Sequence, residues 1–140
     1  MKKLMVKLSA IGVLAVASLS TSASTINAND LVESGIDIVK VKNVMPVYPS
    51  TAITQKKHGQ VVLSYDLNKQ GEPENIKVVS FKGTKRFIRS SVQALAKTRF
   101  EPVIANDQAV TVVGLQKQYD FLLLDENSNK DIPGLIAFNL

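Results

Sequence analysis

The sequence predicts an α+β fold: a three-stranded antiparallel sheet of order 2-1-3, one long helix packed on a face of it, and a short N-terminal helix. Three observations carry this expectation. Val61, Leu63, Tyr65 and Leu67 alternate with Gln60, Val62, Ser64 and Asp66, the period of a half-buried strand, and a second alternating run follows after a turn. Between Thr84 and Pro102, Ile88, Val92 and Leu95 recur at helical spacing. A third alternating run spans Ala109 to Leu124. A hairpin, a crossover helix and a strand returning beside the first give the order 2-1-3, and the right-handed crossover rule lays the helix over one face.

The chain begins with Lys2, Lys3 and Lys7, then an uncharged run from Leu8 to Leu19, then small residues with Ala23 and Ala28 as two exit points. A basic head, a short apolar stretch and a small-residue exit read as a secretory signal peptide over residues 1–28. The run is shorter than the roughly 20 residues that a membrane-spanning helix needs. Without those three lysines the net charge falls from +5 to +2, so the basic balance belongs largely to the leader and not to a nucleic-acid surface. Cysteine is absent and histidine occurs once. An exported domain of this composition holds by packing alone, and the usual zinc ligand sets cannot be assembled.

Residues 29–45 are loosely patterned, with Ile36, Ile38, Val39 and Val41 alternating in part, and read as an extended arm. Pro46 and Pro49 exclude a continuous helix or a central strand there. The stretch "VYPSTAITQKKHG" reads as a helix of about nine residues: Pro49 in its first turn, Gly59 just past its end, and Lys56, Lys57 and His58 at the negative end of its dipole. So short a helix is marginal in water and must dock; Tyr48 is the expected anchor, ring buried and hydroxyl on a polar partner.

Asn68 to Gly71 supplies the hairpin turn. Ile76, Val78 and Ser80 define the second strand, with Pro73 at its start marking an edge. Thr84 caps the long helix, whose stripe is flanked by Phe87, Ser91 and Ala94. In the last run Val110 and Val112 share one parity and Leu115, Tyr119, Phe121 and Leu123 the other, so Gly114 is expected to mark a β-bulge. The tail, 125–140, is polar and then apolar at Leu135, Ile136, Phe138 and Leu140. Charge is uneven: ten Lys and Arg face three acids between residues 56 and 99, and two face six thereafter. Such asymmetry can steer an anionic partner. No nucleophile elbow, phosphate loop or metal set is present, so the reading is non-enzymatic and needs no cofactor.

The order and spacing of Tyr48, Pro49 and Ala52, of Gly59 and Val61, of Gly71, of Ala94 and Leu95, and of Arg99, Phe100 and Pro102 resemble the TonB C-terminal domain family over residues 46–124. The resemblance implies a domain that binds outer-membrane receptors by pairing with an extended peptide. The last strand would be its accepting edge and the segment from Ser50 to Gly59 the neighbouring wall. An open edge suits this, because unpaired N–H and C=O groups accept an added strand while side-chain pockets select it. Tyr48, Pro49, Ile53, Val112, Leu115 and Tyr119 are the partner-binding residues this implies.

The chain departs from the transducers in two respects. Its five prolines (46, 49, 73, 102 and 133) form no run that could serve as a long spacer. Ile53 stands where the transducers commonly carry a glutamine. The expected function is therefore an exported, periplasmic protein-binding module, with a tethered energy-transducer component as the alternative. The partner is a protein or peptide, an outer-membrane receptor among the candidates, and not nucleic acid. The same edge also offers a route to self-association.

Overall fold

The computed structural model describes residues 24–124 and the backbone of 135–139. Most of the expected signal peptide and most of the tail lie outside the described residues. In chain order the elements are β1 (Thr25–Asn27), α1 (Ala28–Ser34), β2 (Lys40–Lys42), α2 (Ser50–Thr54), β3 (Gly59–Leu67) and β4 (Pro73–Lys82). They continue with α3 (Lys85–Lys97), β5 (Arg99–Phe100), β6 (Ile104–Ala105), β7 (Gln108–Ala109), β8 (Thr111–Leu124) and β9 (Leu135–Asn139).

The alternating run of β3 buries Val61, Leu63, Tyr65 and Leu67 on one face and leaves the intervening residues half-exposed. β3 pairs antiparallel with β4 on one side and with β8 on the other. The trio β4-β3-β8 has the expected 2-1-3 order, but the sheet is larger and mixed, with five strands. β1 and β9 both add to β8, and both run parallel to it. Three and five residues are too few to carry a periodic signal, and their pairing is decided by the edge that receives them.

α3 is capped by Thr84, whose hydroxyl accepts from Arg86 N at 3.4 Å. Its buried residues are Phe87, Ser91, Ala94 and Leu95, with Ile88 and Val92 half-buried. The buried face is thus turned from the expected stripe toward the small residues, which let the helix lie close to β3 and β4. Phe87 stacks on Phe121 of β8 at 4.3 Å, and Tyr48 meets both edge-on at 5.4 and 5.5 Å. Such pairs add about 0.5–1.5 kcal/mol each beyond area burial.

Three local expectations are corrected. α2 has five residues, not nine, and the chain turns out of it at Lys56 (φ 49°), so Lys56, Lys57 and His58 lie beyond the helix. Gly59 opens β3 instead of ending α2, and a Cβ there would overlap the Phe87 ring. The arm is helical over Ala28–Ser34, where Leu31 alone is buried and Gly35 (φ 65°) closes the helix. A single anchoring leucine leaves no stripe to read. In β4 a register shift puts Val78 opposite Leu63 but Ser80 opposite Val62, so the expected Val78–Ser80 alternation does not share a face.

β2 pairs with β5, Lys40 against Phe100 and Lys42 against Arg99. The helix exit is therefore fastened to the arm, with Phe100 stacked on Tyr65 at 6.0 Å and its N–H donated to the Gly71 carbonyl at 2.9 Å. The bulge falls at Gly114 (φ 79°), whose N–H donates to Asp66 Oδ1 at 3.0 Å.

Candidate functional site

β8 is the longest strand of the sheet, and its outer side is only partly used. On the inner side it pairs with β3 from Val112 to Phe121. On the outer side β1 covers Thr111 to Val113 and β9 covers Asp120 to Leu124. Between them, Gly114 to Tyr119 has no strand on its outer side among the described residues. The edge therefore carries a six-residue gap bounded by two short parallel strands.

Beside this gap the arm and β8 enclose a cleft of about 230 Å³ lined by Lys40, Asn43, Met45, Lys117 and Tyr119. Lys117 belongs to the same parity as Leu115, Tyr119 and Phe121, the parity that faces the core. It is half-buried, with its ammonium 5.6 Å from the Tyr119 ring centroid. Burial, and then the nearby ammonium of Lys40, hold the Lys117 pKa below that of an ordinary lysine. Burial, with a smaller contribution from Tyr65, pushes the Tyr119 phenol up to about 12. The Asn43 amide donates to the Met45 sulfur at 3.7 Å, a weak acceptor.

The six residues expected to contact a partner fall into two groups. Tyr119 and half-buried Leu115 flank the gap. Val112 is fully buried, opposite Leu67 on one side and Ile26 of β1 on the other, so it lies beneath an occupied stretch of the edge. Tyr48 is buried in the aromatic trio and donates its hydroxyl to the Lys57 carbonyl at 2.6 Å. Ile53 packs half-buried against the core. Pro49 lines a separate groove with Val47, Arg86, Arg89, Ser90 and Gln93. Tyr48 touches Phe121 of β8 edge-on, which joins the α2 group to that strand.

Sequence reasoning passed over Lys40, Asn43 and Lys117. The signal for Lys117 was present: it is a charged residue inside the apolar parity row that runs from Leu115 to Leu123. No local pattern could place Lys40 and Asn43 over it, since the β2–β5 pairing that does so is tertiary.

Comparison with known proteins gives concordant results. The family described as Gram-negative bacterial TonB protein C-terminal matches residues 44–123. Protein TonB of Yersinia enterocolitica is 35% identical over 68 residues, covering 49% of this chain and 27% of that protein. The chain therefore spans about a quarter of the length of that curated relative. The solution NMR structure of the Pseudomonas aeruginosa TonB CTD superposes with a TM-score of 0.52 at 27% identity, over 67% of this chain and 89% of that one. With the family match covering more than half of the residues, on a fold shared with a TonB C-terminal domain, the chain belongs to the family of Gram-negative bacterial TonB protein C-terminal domains.

Proposed function

We propose that this chain is an exported, non-enzymatic binding module that captures an extended peptide or partner strand in the periplasm, at the outer edge of β8. The observation that carries the reading is the gap at Gly114 to Tyr119, between β1 and β9. That edge already receives two segments of its own chain in parallel register, so its geometry suits strand addition. A guest at the gap would continue the same edge, or extend beyond it by displacing β1 or β9. Leu115 and Tyr119 lie toward its two ends. Val112 comes into play where β1 is displaced, and Tyr48, Pro49 and Ile53 support the wall behind Phe121.

The test is to pan a phage-displayed random heptapeptide library against the folded protein and to titrate a selected peptide into the isotope-labelled chain. Amide shifts and new exchange protection centred on residues 114–119 support the reading. Binding that leaves those amides unmoved overturns it. Light scattering of the free protein separates a guest edge from self-association through it.

A second reading, a tethered component of receptor energisation at the outer membrane, draws on the family match and on the position of β1. Because Thr25–Asn27 belongs to the sheet, a retained leader would hold the domain directly at the inner membrane. N-terminal sequencing of the exported product decides. A start at Ser24 frees the domain with β1 intact, a start at Asn29 removes β1, and a retained Met1 supports the tether.

A further inference from the structure

We propose that the cleft between Lys40 and Lys117 binds a carboxylate side chain of the strand that docks at Gly114 to Tyr119, and so selects guests with an acidic residue at one fixed position. The inference rests on the edge reading given above and adds the chemistry of recognition.

The two lysines approach each other from different parts of the fold. Lys40 comes from β2, positioned by pairing with Phe100. Lys117 comes from the middle of the gap, on the side of the sheet that faces the core. Both line the same cleft, Lys117 half-buried and Lys40 exposed, so their like charges repel one another, and burial strips part of the hydration of Lys117. Among the described residues no carboxylate pairs with either of them, the ion pair present being Arg99 with Glu72 at 3.5 Å. A leucine at position 117 would continue the row of Leu115, Tyr119 and Phe121 at no electrostatic cost. The chain instead keeps a cation there, beside a tyrosine face 5.6 Å away that favours a cation.

A single carboxylate placed between Lys40 and Lys117 would neutralise the repulsion and accept charge-assisted hydrogen bonds from both. Asn43 is a third donor at the same cleft, engaged with a thioether it would readily exchange for an oxygen. Side chains of an added strand alternate between the faces of the sheet, so only every second guest residue can reach the cleft. Of the three guest residues that a six-residue gap places on that face, the one level with Lys117 meets the cleft.

The chain's own edge segments lack the group. β1 reads Thr-Ile-Asn and β9 reads Leu-Ile-Ala-Phe-Asn, and neither contains Asp or Glu. An acidic residue would therefore distinguish a guest from the strands that already flank the gap.

The experiment uses the panned heptapeptides. The expected result is enrichment of Asp or Glu at one register position, with the Glu→Gln form of a selected peptide binding about tenfold more weakly, as befits the loss of a charge-assisted contact. Lys117→Met and the exposed-site variant Lys40→Gln should each abolish that difference, while the Gln form binds them as it binds the parent. Amide spectra confirm that both variants fold. Peptides that occupy residues 114–119 without an acidic preference overturn the inference and leave the edge reading standing. Acids scattered over all positions also overturn it, since long-range attraction would suffice. Peptides that fail to occupy residues 114–119 remove the edge reading, and the inference falls with it.

Discussion

Phe87 and Phe121 stack with ring centroids 4.3 Å apart, one from α3 and the other from β8, and Gly59 is the residue that lets them meet. A side chain at Gly59 would overlap the Phe87 ring. The absence of one Cβ on β3 therefore sets how closely the helix lies on the sheet.

Gly59→Ala is expected to lower stability by about 2–3 kcal/mol, in the range for overpacking a well-filled core. Gly114→Ala offers the contrast. Its Cβ would meet nothing within 4 Å, but φ is 79°, so only backbone strain of about 1 kcal/mol is expected. Urea denaturation of the two variants gives the difference directly. Equal losses would show that the Phe87 contact yields without cost.

The Tyr48 hydroxyl reaches past the whole of α2 to the Lys57 carbonyl, at 2.6 Å. Tyr48→Phe removes that bond and keeps the aromatic trio, so a loss of about 1 kcal/mol is expected. Tyr48→Ala also empties the ring site and should cost about 3–5 kcal/mol. A Phe variant as damaged as the Ala variant would move the anchoring role from the ring to the hydroxyl.

The hairpin, the long helix, the bulge at Gly114 and the anchoring of the short helix by Tyr48 were all legible in the sequence. Each is written in local chemistry: alternation, helical spacing, a parity change at a glycine, an aromatic beside a proline. β1, α1 and β9 were not, because segments of three to seven residues are too short to carry a readable period. The swapped face of Ser80 was hidden by a register shift that only the partner strand defines. Half of the site was legible too. Leu115 and Tyr119 stand out by parity, whereas Lys117 was masked by the apolar row around it, and Lys40 reaches it through the β2–β5 pairing.

All three tyrosines have phenol pKa values raised by burial, Tyr119 to about 12, against an ordinary value of about 10. Below about pH 10 the phenols are neutral in folded and unfolded chains alike, and their contribution to stability is fully present. Between about 10 and 12 the unfolded chain releases protons that the folded chain keeps, so this contribution falls as pH rises. Tyrosinate absorbance should therefore lag behind that of a urea-unfolded sample, and urea midpoints should drop over that window. A folded chain whose three tyrosines titrate with the unfolded midpoint would contradict the burial of the Tyr65–Tyr119 region.

Hydrogen exchange tests the occupancy of the edge. Outward-facing amides among residues 111–113 and 120–124 are covered by β1 and β9, and those of 115–119 are covered by no strand among the described residues. Exchange in the gap should be at least tenfold faster than under either flanking strand, since an amide without a partner needs no opening step. Uniform protection along β8 would mean that the gap is filled in the free protein.

Lys117→Met tests whether the cation is kept against stability. The substitution fills a similar volume, completes the apolar row and removes the repulsion with Lys40. A gain of about 0.5–1 kcal/mol at neutral pH is expected, the size typical of optimising a partly exposed charge. The pH dependence has a defined sign. The folded-state pKa of Lys117 lies below its ordinary value, so the parent carries a penalty at neutral pH that is relieved as pH rises toward about 10.5. The advantage of the methionine variant should therefore shrink with increasing pH. Paired urea titrations at neutral and alkaline pH measure it, and a variant less stable than the parent at both would show that Lys117 supports the fold instead of being held at its expense.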